Sequence, residues 1–176
     1  FDSLAGFFVQ EEDYDVDTDP MTSEGVFVFN FSNDDVDLGD VVRVEGTVQE
    51  RFGNTQLTDF VVVDVLEVEP RVATPTTIEF PIAAISNLEW VEGMAVNFPQ
   101  KLVVSEYFNY DRFGEIVLTT ERQYQPTAIH DPGSPEAAAL ADAHRLSRLT
   151  LDDGRTTQNP DPAIHPNGLE FDLTNL

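Results

Sequence analysis

The chain has 176 residues, enough for one domain or two small ones; its 41 % hydrophobic residues, with 13 Phe among them, exclude a disordered acidic tail. Asp and Glu number 33 against 9 Lys and Arg, a formal charge of −24, which speaks against strong nonspecific nucleic-acid binding because that binding needs cations to neutralise phosphates. Cysteine is absent, which excludes disulfides, thiolate metal sites and cysteine nucleophiles, and no apolar run approaches the ~20 residues of a membrane span.

In chain order, the first 70 residues read as strands rich in Val, Phe and Thr, separated by turns. GFFVQ (6–10) comes first, followed by an acidic loop, EEDYDVDTDPMTSEG (11–25). Counted from Asp13, the residues Asp13, Asp15, Asp17 and Asp19 hold places 1, 3, 5 and 7, and Glu24 holds place 12. Calcium takes six to eight oxygens at ~2.3–2.6 Å, and alternating carboxylates closed by a bidentate Glu are one way to supply them. Thr18 stands where an EF-hand needs Gly, Pro20 follows soon after, and no helices flank the loop, so this is not an EF-hand. Two readings stay open: a loop that holds calcium or another divalent cation in a β context, and a solvated connection between strands. Carboxylates ~6–7 Å apart along an extended segment repel one another without a counterion. The net charge as a whole calls for bound cations or a saline medium that screens it.

GVFVFNF (25–31) is the next strand, and SNDDVDLGD (32–40) is a second acidic turn with Asn33, Asp34 and Asp35 at its tip. In DVVRVEGTVQE (40–50), Val42, Val44, Gly46 and Val48 alternate with Arg43, Glu45 and Thr47, as in a half-buried strand. Gly46 inside it predicts a bulge or sharp coil of the kind that closes small barrels. RFGNTQ (51–56) is the turn into TQLTDFVVVDVLEVE (55–69), with Gly53 and Asn54 suited to positive φ.

EPRVATPTT (69–77) reads as an extended connector. Beyond it, EGMAVNFPQKLVVSE (92–106), interrupted at Pro99, and GEIVLTT (114–120) form a second pair of strands joined by YFNYDRF. One helix is expected over 135–149, with Ser134 as N-cap, Pro135 at the first helical position, Glu136 near the positive end of the dipole, and Arg145 and Arg148 in the last turns. LDDG, with Asp152 and Asp153, suits a hairpin turn or a further cation site, and LEFDL near the end suits a final strand. The expected organisation is an OB-like β-barrel over 1–70, a connector over 71–91, and a second β-rich segment over 92–176 carrying the helix. The fold class is mostly β, a small barrel with one late α-helix.

Five of the nine basic residues, Arg112, Arg122, Arg145, Arg148 and Arg155, fall between 112 and 155. With Tyr107, Phe108 and Tyr110 they offer a DNA surface of stacking rings and cations. The competing reading pairs these arginines with neighbouring acids and packs the rings inward. Catalysis within the chain is not expected. His130, His144 and His165 are the only histidines, and there is no phosphate loop, nucleophile elbow or HExxH motif.

The run GFFVQE…TSEGVFVF…GDVVRVEGTVQERFGNTQL, followed in order by EGMAV, RFGEIVL, QPT and LDDG, resembles the region before the catalytic domain in secreted ExeM/NucH-type endonucleases. That region contains the OB-like module also found in YhcR-type nucleases. The resemblance runs from about Gly6 to Gly154, and EGTVQERFGNTQL is its most specific part. It implies an OB-like barrel in an extracellular, divalent-metal-dependent DNA-degrading protein. The hydrolytic Asp, Glu, Asn and paired His of that family are not found in this sequence. The family's first barrel strand, expected before GFFVQ, is also not found. The chain therefore reads as the front part of a larger protein or as a relative that has lost the catalytic half.

The expected function is a non-catalytic OB-like domain that positions DNA or a downstream catalytic domain, with calcium or another divalent cation in its acidic loops. The alternative is an extracellular structural domain that self-assembles, as a homo-oligomer or filament, by strand exchange.

Overall fold

Two β-hairpins, joined by a short parallel contact, build the first of two compact units in the computed structural model, which describes residues 4–31, 36–67, 71 and 73–161. Among the described residues strand makes up 34 % and helix 17 %, so the fold is mostly β with a late helix. The first unit takes residues 1–77 and 86–97, the second 78–85 and 98–176. The stretch expected as a connector, 71–91, is thus divided between the two.

Strand β1 (Gly6–Gln10) pairs antiparallel with β2 (Gly25–Phe29), with Phe7 opposite Val28 and Phe8 opposite Phe27. Strands β3 (Val41–Arg51) and β4 (Asn54–Glu67) form the second hairpin. These are the strands the Val, Phe and Thr content predicts, because β-branched and aromatic side chains fit a pleated surface. The hairpins meet where β2 and β4 run parallel through the pairs Phe27–Gln56 and Val28–Leu57. The resulting sheet, in the order β1-β2-β4-β3, curls into a half-barrel. Val28, at this junction, is 0 % exposed.

The expected irregularity at Gly46 is present. Glu45 faces Val62 and Thr47 faces Thr58, so three residues of β4 (59–61) stand opposite Gly46 alone, and Asp59 adopts a left-handed φ of 55°. A Cβ at Gly46 would lie 3.3 Å from Leu57, Thr58 and Val61, so the close approach favours glycine. The β3–β4 turn departs from expectation by one residue. Positive φ falls on Phe52 (58°) and Gly53 (78°), not on Asn54, because Arg51 and Asn54 already close the ladder. The alternation in β3 also has a different outcome from the expected half-burial: no residue of β3 is fully buried, and Val48 is exposed.

After β4 come β5 (Thr76–Thr77), a 3-10 helix (Ile85–Val91) that the sequence reading missed, and β6 (Val96–Asn97), which pairs parallel with β5. Segment 92–95 is fastened within the first unit. Ser23 Oγ donates to the Glu92 carbonyl at 2.5 Å, and the Ala95 amide donates to Gln10 Oε1 at 2.8 Å. A Cβ on Gly25 would come within 2.5 Å of the Gly93 carbonyl carbon, so only glycine allows this approach.

The expected strand over 92–106 is two strands, β6 and β7 (Val103–Glu106), with Pro99 between them. In the second unit β7, β8 (Ile116–Thr119) and β9 (Arg148–Leu151) form an antiparallel sheet with β8 in the middle. Its Ile116, Val117 and Thr119 are buried, alongside Phe80, Ile82 and Ala137. A short helix, α1 (Tyr110–Phe113), interrupts the β7–β8 connection and ends at Gly114 in the left-handed conformation. The late helix, α2 (Pro135–Leu146), starts as expected, Ser134 Oγ accepting from the Ala137 amide at 3.1 Å. It stops at Leu146, short of the expected 149, because Arg148–Leu151 pairs with β8 instead. The expected LEFDL strand lies outside the described residues.

Phe52 combines a left-handed backbone with 96 % exposure, a conformation that asparagine tolerates and phenylalanine does not. Phe52→Asn is expected to raise the stability of the first unit by roughly 1 kcal/mol in urea unfolding; an unchanged or lower midpoint would show that the turn is not of this type.

Candidate functional site

The acidic loop is organised by its own backbone. Asp17 Oδ1 accepts from the Asp19 amide at 2.6 Å, and Asp19 Oδ1 accepts from the Met21 amide at 3.0 Å, successive Asx turns that short carboxylate side chains favour. Thr22 Oγ1 donates to the Asp19 carbonyl at 2.9 Å. Asp13 points elsewhere: its carboxylate accepts from the Thr74 amide at 2.9 Å and from the Thr74 hydroxyl at 2.5 Å. These two bonds, the hydroxyl first, hold the Asp13 carboxyl below its ordinary value. Asp15 and Glu24 make backbone bonds at the loop's start and end, Asp15 N to Glu12 O and Glu11 N to Glu24 O.

Beside Asp13, Arg71 is paired with Glu67 at 2.5 Å, lies 3.9 Å from Glu12, and donates to the Tyr14 hydroxyl at 3.4 Å. Glu67, above all, raises the guanidinium pKa, and the bond to Glu12 raises that of Tyr14. Asp152 Oδ1 accepts from the Gly154 amide at 2.6 Å, and Asp153 Oδ1 from the Arg155 amide at 2.9 Å, both again turn-forming bonds. Asp153 Oδ2 is buried without a hydrogen-bond partner, against Gly114. Of the expected cation residues, Asp17, Asp19, Asp152 and Asp153 thus hold separate turns, and Asp13 holds Thr74. Among the described residues no three His, Asp or Glu side chains converge on one point. Asn33, Asp34 and Asp35 lie outside the described residues.

Two grooves stand out. The larger, about 900 Å³, belongs to the first unit and is lined by two runs of consecutive residues, 7–10 of β1 and 36–42 leading into β3. A cavity against the face of a strand touches alternate residues, whereas one along its edge touches consecutive ones. This groove therefore runs along the edge of β1 on one side and along the turn that leads into β3 on the other. Glu12, Asp13, Asp37 and Asp40 are on its rim, with Arg71 the one cation lining it.

The second groove, about 580 Å³, lies in the second unit and brings together Tyr107, Arg122 and Tyr124 beside the β7 edge residues Val103 and Val104. The Arg122 guanidinium sits 5.2 Å from the centroid of the Tyr124 ring. Tyr124 was not among the residues expected from sequence; the Arg-x-Tyr spacing of RQYQ places the two side chains on one side of an extended segment and is the signal that identifies it. The other expected contacts are dispersed. Tyr110 is buried at 8 % exposure and is not available to stack on a base. Arg112 lies over the Phe113 ring, Arg145 pairs with Asp142 at 3.5 Å, and Arg148 pairs with Glu106 at 2.9 Å. Arg145 and Arg148 thus meet acids, as the competing reading has it, whereas Arg112 and Arg122 lie over rings.

No family model, no curated protein and no solved structure matches the chain.

Because the Asp13 pKa is lowered on folding, its bond to Thr74 is complete above the ordinary value of 3.8 and is lost as pH falls through the lower, folded value. The Thr74 amide resonance is expected to titrate below pH 3.8 and to lose that inflection in Asp13→Ala. Calcium at neutral pH is expected to leave it unmoved; a saturable shift on adding calcium would show that Asp13 leaves Thr74 for a cation.

Proposed function

We propose that the chain is a non-catalytic, OB-like module of an extracellular nuclease-type protein, serving to position DNA or a catalytic domain. The observation that carries this reading is the strand order β1-β2-β4-β3 with its single parallel contact, β2 to β4. A five-stranded Greek-key barrel of the OB type is built from antiparallel neighbours with one parallel pair, between its third and fifth strands. Counting β1 as the second strand of such a barrel puts β2 and β4 in those two places. The Gly46 bulge, at the point where a barrel strand must coil, supports the same reading. So does the sequence resemblance, which covers both hairpins and leaves the barrel's first strand unaccounted for.

The DNA side of the role rests on the groove of Tyr107, Arg122 and Tyr124, a pair of rings with a cation of the kind that holds single strands by stacking. The acid-rich remainder of the surface restricts such binding to low salt. A second reading, a structural domain that acts by strand association, is favoured by β1 and β3 standing at the ends of the sheet among the described residues.

Fluorescence anisotropy with a labelled single-stranded oligonucleotide at low ionic strength tests the DNA role. Saturable binding that weakens with salt is expected, with a further loss of about 5- to 150-fold in Tyr124→Ala, the scale of one stacked base. Absence of binding would remove the DNA role and leave domain positioning. Nicking of a supercoiled plasmid by the purified chain with Mg²⁺ would overturn the non-catalytic assignment.

A further inference from the structure

Phe52, at the tip of the β3–β4 hairpin, sustains two costs at once, a left-handed backbone and a ring left 96 % in water. A Cβ on the neighbouring Gly53 would meet nothing within 4 Å, so the tip stands clear of the rest of the first unit. The ring is not alone. The Arg51 guanidinium lies 5.3 Å from the Phe52 centroid and 5.6 Å from that of Phe29, and the Phe29 ring lies 4.8 Å from Phe31, itself 86 % exposed. These four side chains form one continuous surface patch, rings around a cation. Neither of the two grooves reaches it. Among the described residues Arg51 forms no ion pair, although the chain carries 33 acids.

The order of groups back from the tip selects the partner. Phe52 and Gly53 are outermost, the closing pair Arg51–Asn54 follows, and one ladder step further back Glu50 stands opposite Thr55. Two carboxylates gather there: the Thr55 hydroxyl donates to Glu50 at 3.0 Å and its amide to Glu92 at 3.2 Å. A polyanion, whether a nucleic acid or an anionic lipid layer, would meet these acids and a net charge of −24 with one cation in its favour. A zwitterionic lipid layer meets the same order of groups with matching ones: hydrocarbon for the rings, phosphate for the guanidinium, and a quaternary ammonium at its surface for the carboxylates. A tip that stands clear also suits a surface that yields to it. We infer that the patch of Phe29, Phe31, Arg51 and Phe52 is an anchor that enters the headgroup region of a phosphatidylcholine-type lipid surface. Phe52 and Phe31 are the inserted rings, and Arg51 pairs with a lipid phosphate. The inference rests on the hairpin tip and not on the nuclease-type reading, so the oligonucleotide experiment and the one below fail independently.

The probe is phosphatidylcholine vesicles at millimolar lipid, mixed with the intact chain and followed by flotation. The parent chain is expected to float with the vesicles saturably, and Phe52→Asn to lose at least about tenfold in partitioning, the scale of one phenylalanine ring returned to water. That variant is expected to unfold no earlier than the parent, which separates lost anchoring from lost folding. A spin label on the lipid is expected to broaden the amide resonances of 51–54 before those of β8. Absence of flotation, or equal flotation of the parent and Phe52→Asn, would overturn the inference. Tighter binding to phosphatidylglycerol vesicles, or binding of single-stranded DNA that Phe52→Asn abolishes, would make the patch a polyanion site and overturn it. Oligomers of the chain alone that vanish in Phe52→Asn would give the tip to a second copy and overturn it too.

Discussion

The first unit depends on a very short interaction, the two-residue parallel register that joins Phe27 to Gln56 and Val28 to Leu57. Each hairpin on its own is a two-stranded ribbon, which is marginal in water. Joined through β2 and β4 they become a four-stranded sheet with Val28 sealed at the junction. The junction carries a cost: Gln56 is buried, and its Nε2 has no hydrogen-bond partner, a penalty of about 1–3 kcal/mol in comparable cases. The rest of the unit follows from this arrangement. The parallel pair fixes which strands are central and leaves β1 and β3 at the ends of the sheet, which is irregular at the Gly46 bulge.

The charge of the chain is handled locally. Carboxylates that looked like an array in sequence are used singly, each bonding a nearby backbone amide or hydroxyl: Asp17 to Asp19, Asp19 to Met21, Asp13 to Thr74, Asp152 to Gly154. Such turns satisfy donors that loops otherwise leave to water, and they spread the acids apart instead of gathering them. The arginines follow the same pattern, most of them meeting an acid or a ring close in sequence or across a strand pair. The Tyr107, Arg122 and Tyr124 groove keeps a cation and two rings together at the surface.

The first 70 residues were the most legible part of the sequence, because their strands are rich in Val, Phe and Thr and their turns carry Gly, Asn and Asp. Even the bulge at Gly46 was visible, since a glycine inside a β-branched run has few other uses. The strand pairings were not legible: nothing local in GVFVF or NTQLT says that they run parallel, and that contact joins residues about 29 apart in sequence. Arg148 and Leu149 were absorbed into the helix because they continue an amphipathic run; the pairing of Arg148–Leu151 with β8 overrides that local preference. Tyr110 was misjudged because a ring in a turn sequence says nothing of which way it packs. The acidic loop illustrates the same limit for sites: spacing places carboxylates in order along the chain, but the turn bonds that each of them makes decide where they point.

The central claim is that β2 and β4 are parallel neighbours and that β1 and β3 are the end strands of this sheet among the described residues. Nuclear Overhauser contacts in the isotope-labelled chain test it most directly. The account predicts backbone contacts between Phe27 and Gln56 and between Val28 and Leu57, with none between β1 and β3. Absence of the β2–β4 contacts, or direct β1–β3 contacts that close the sheet, would contradict it.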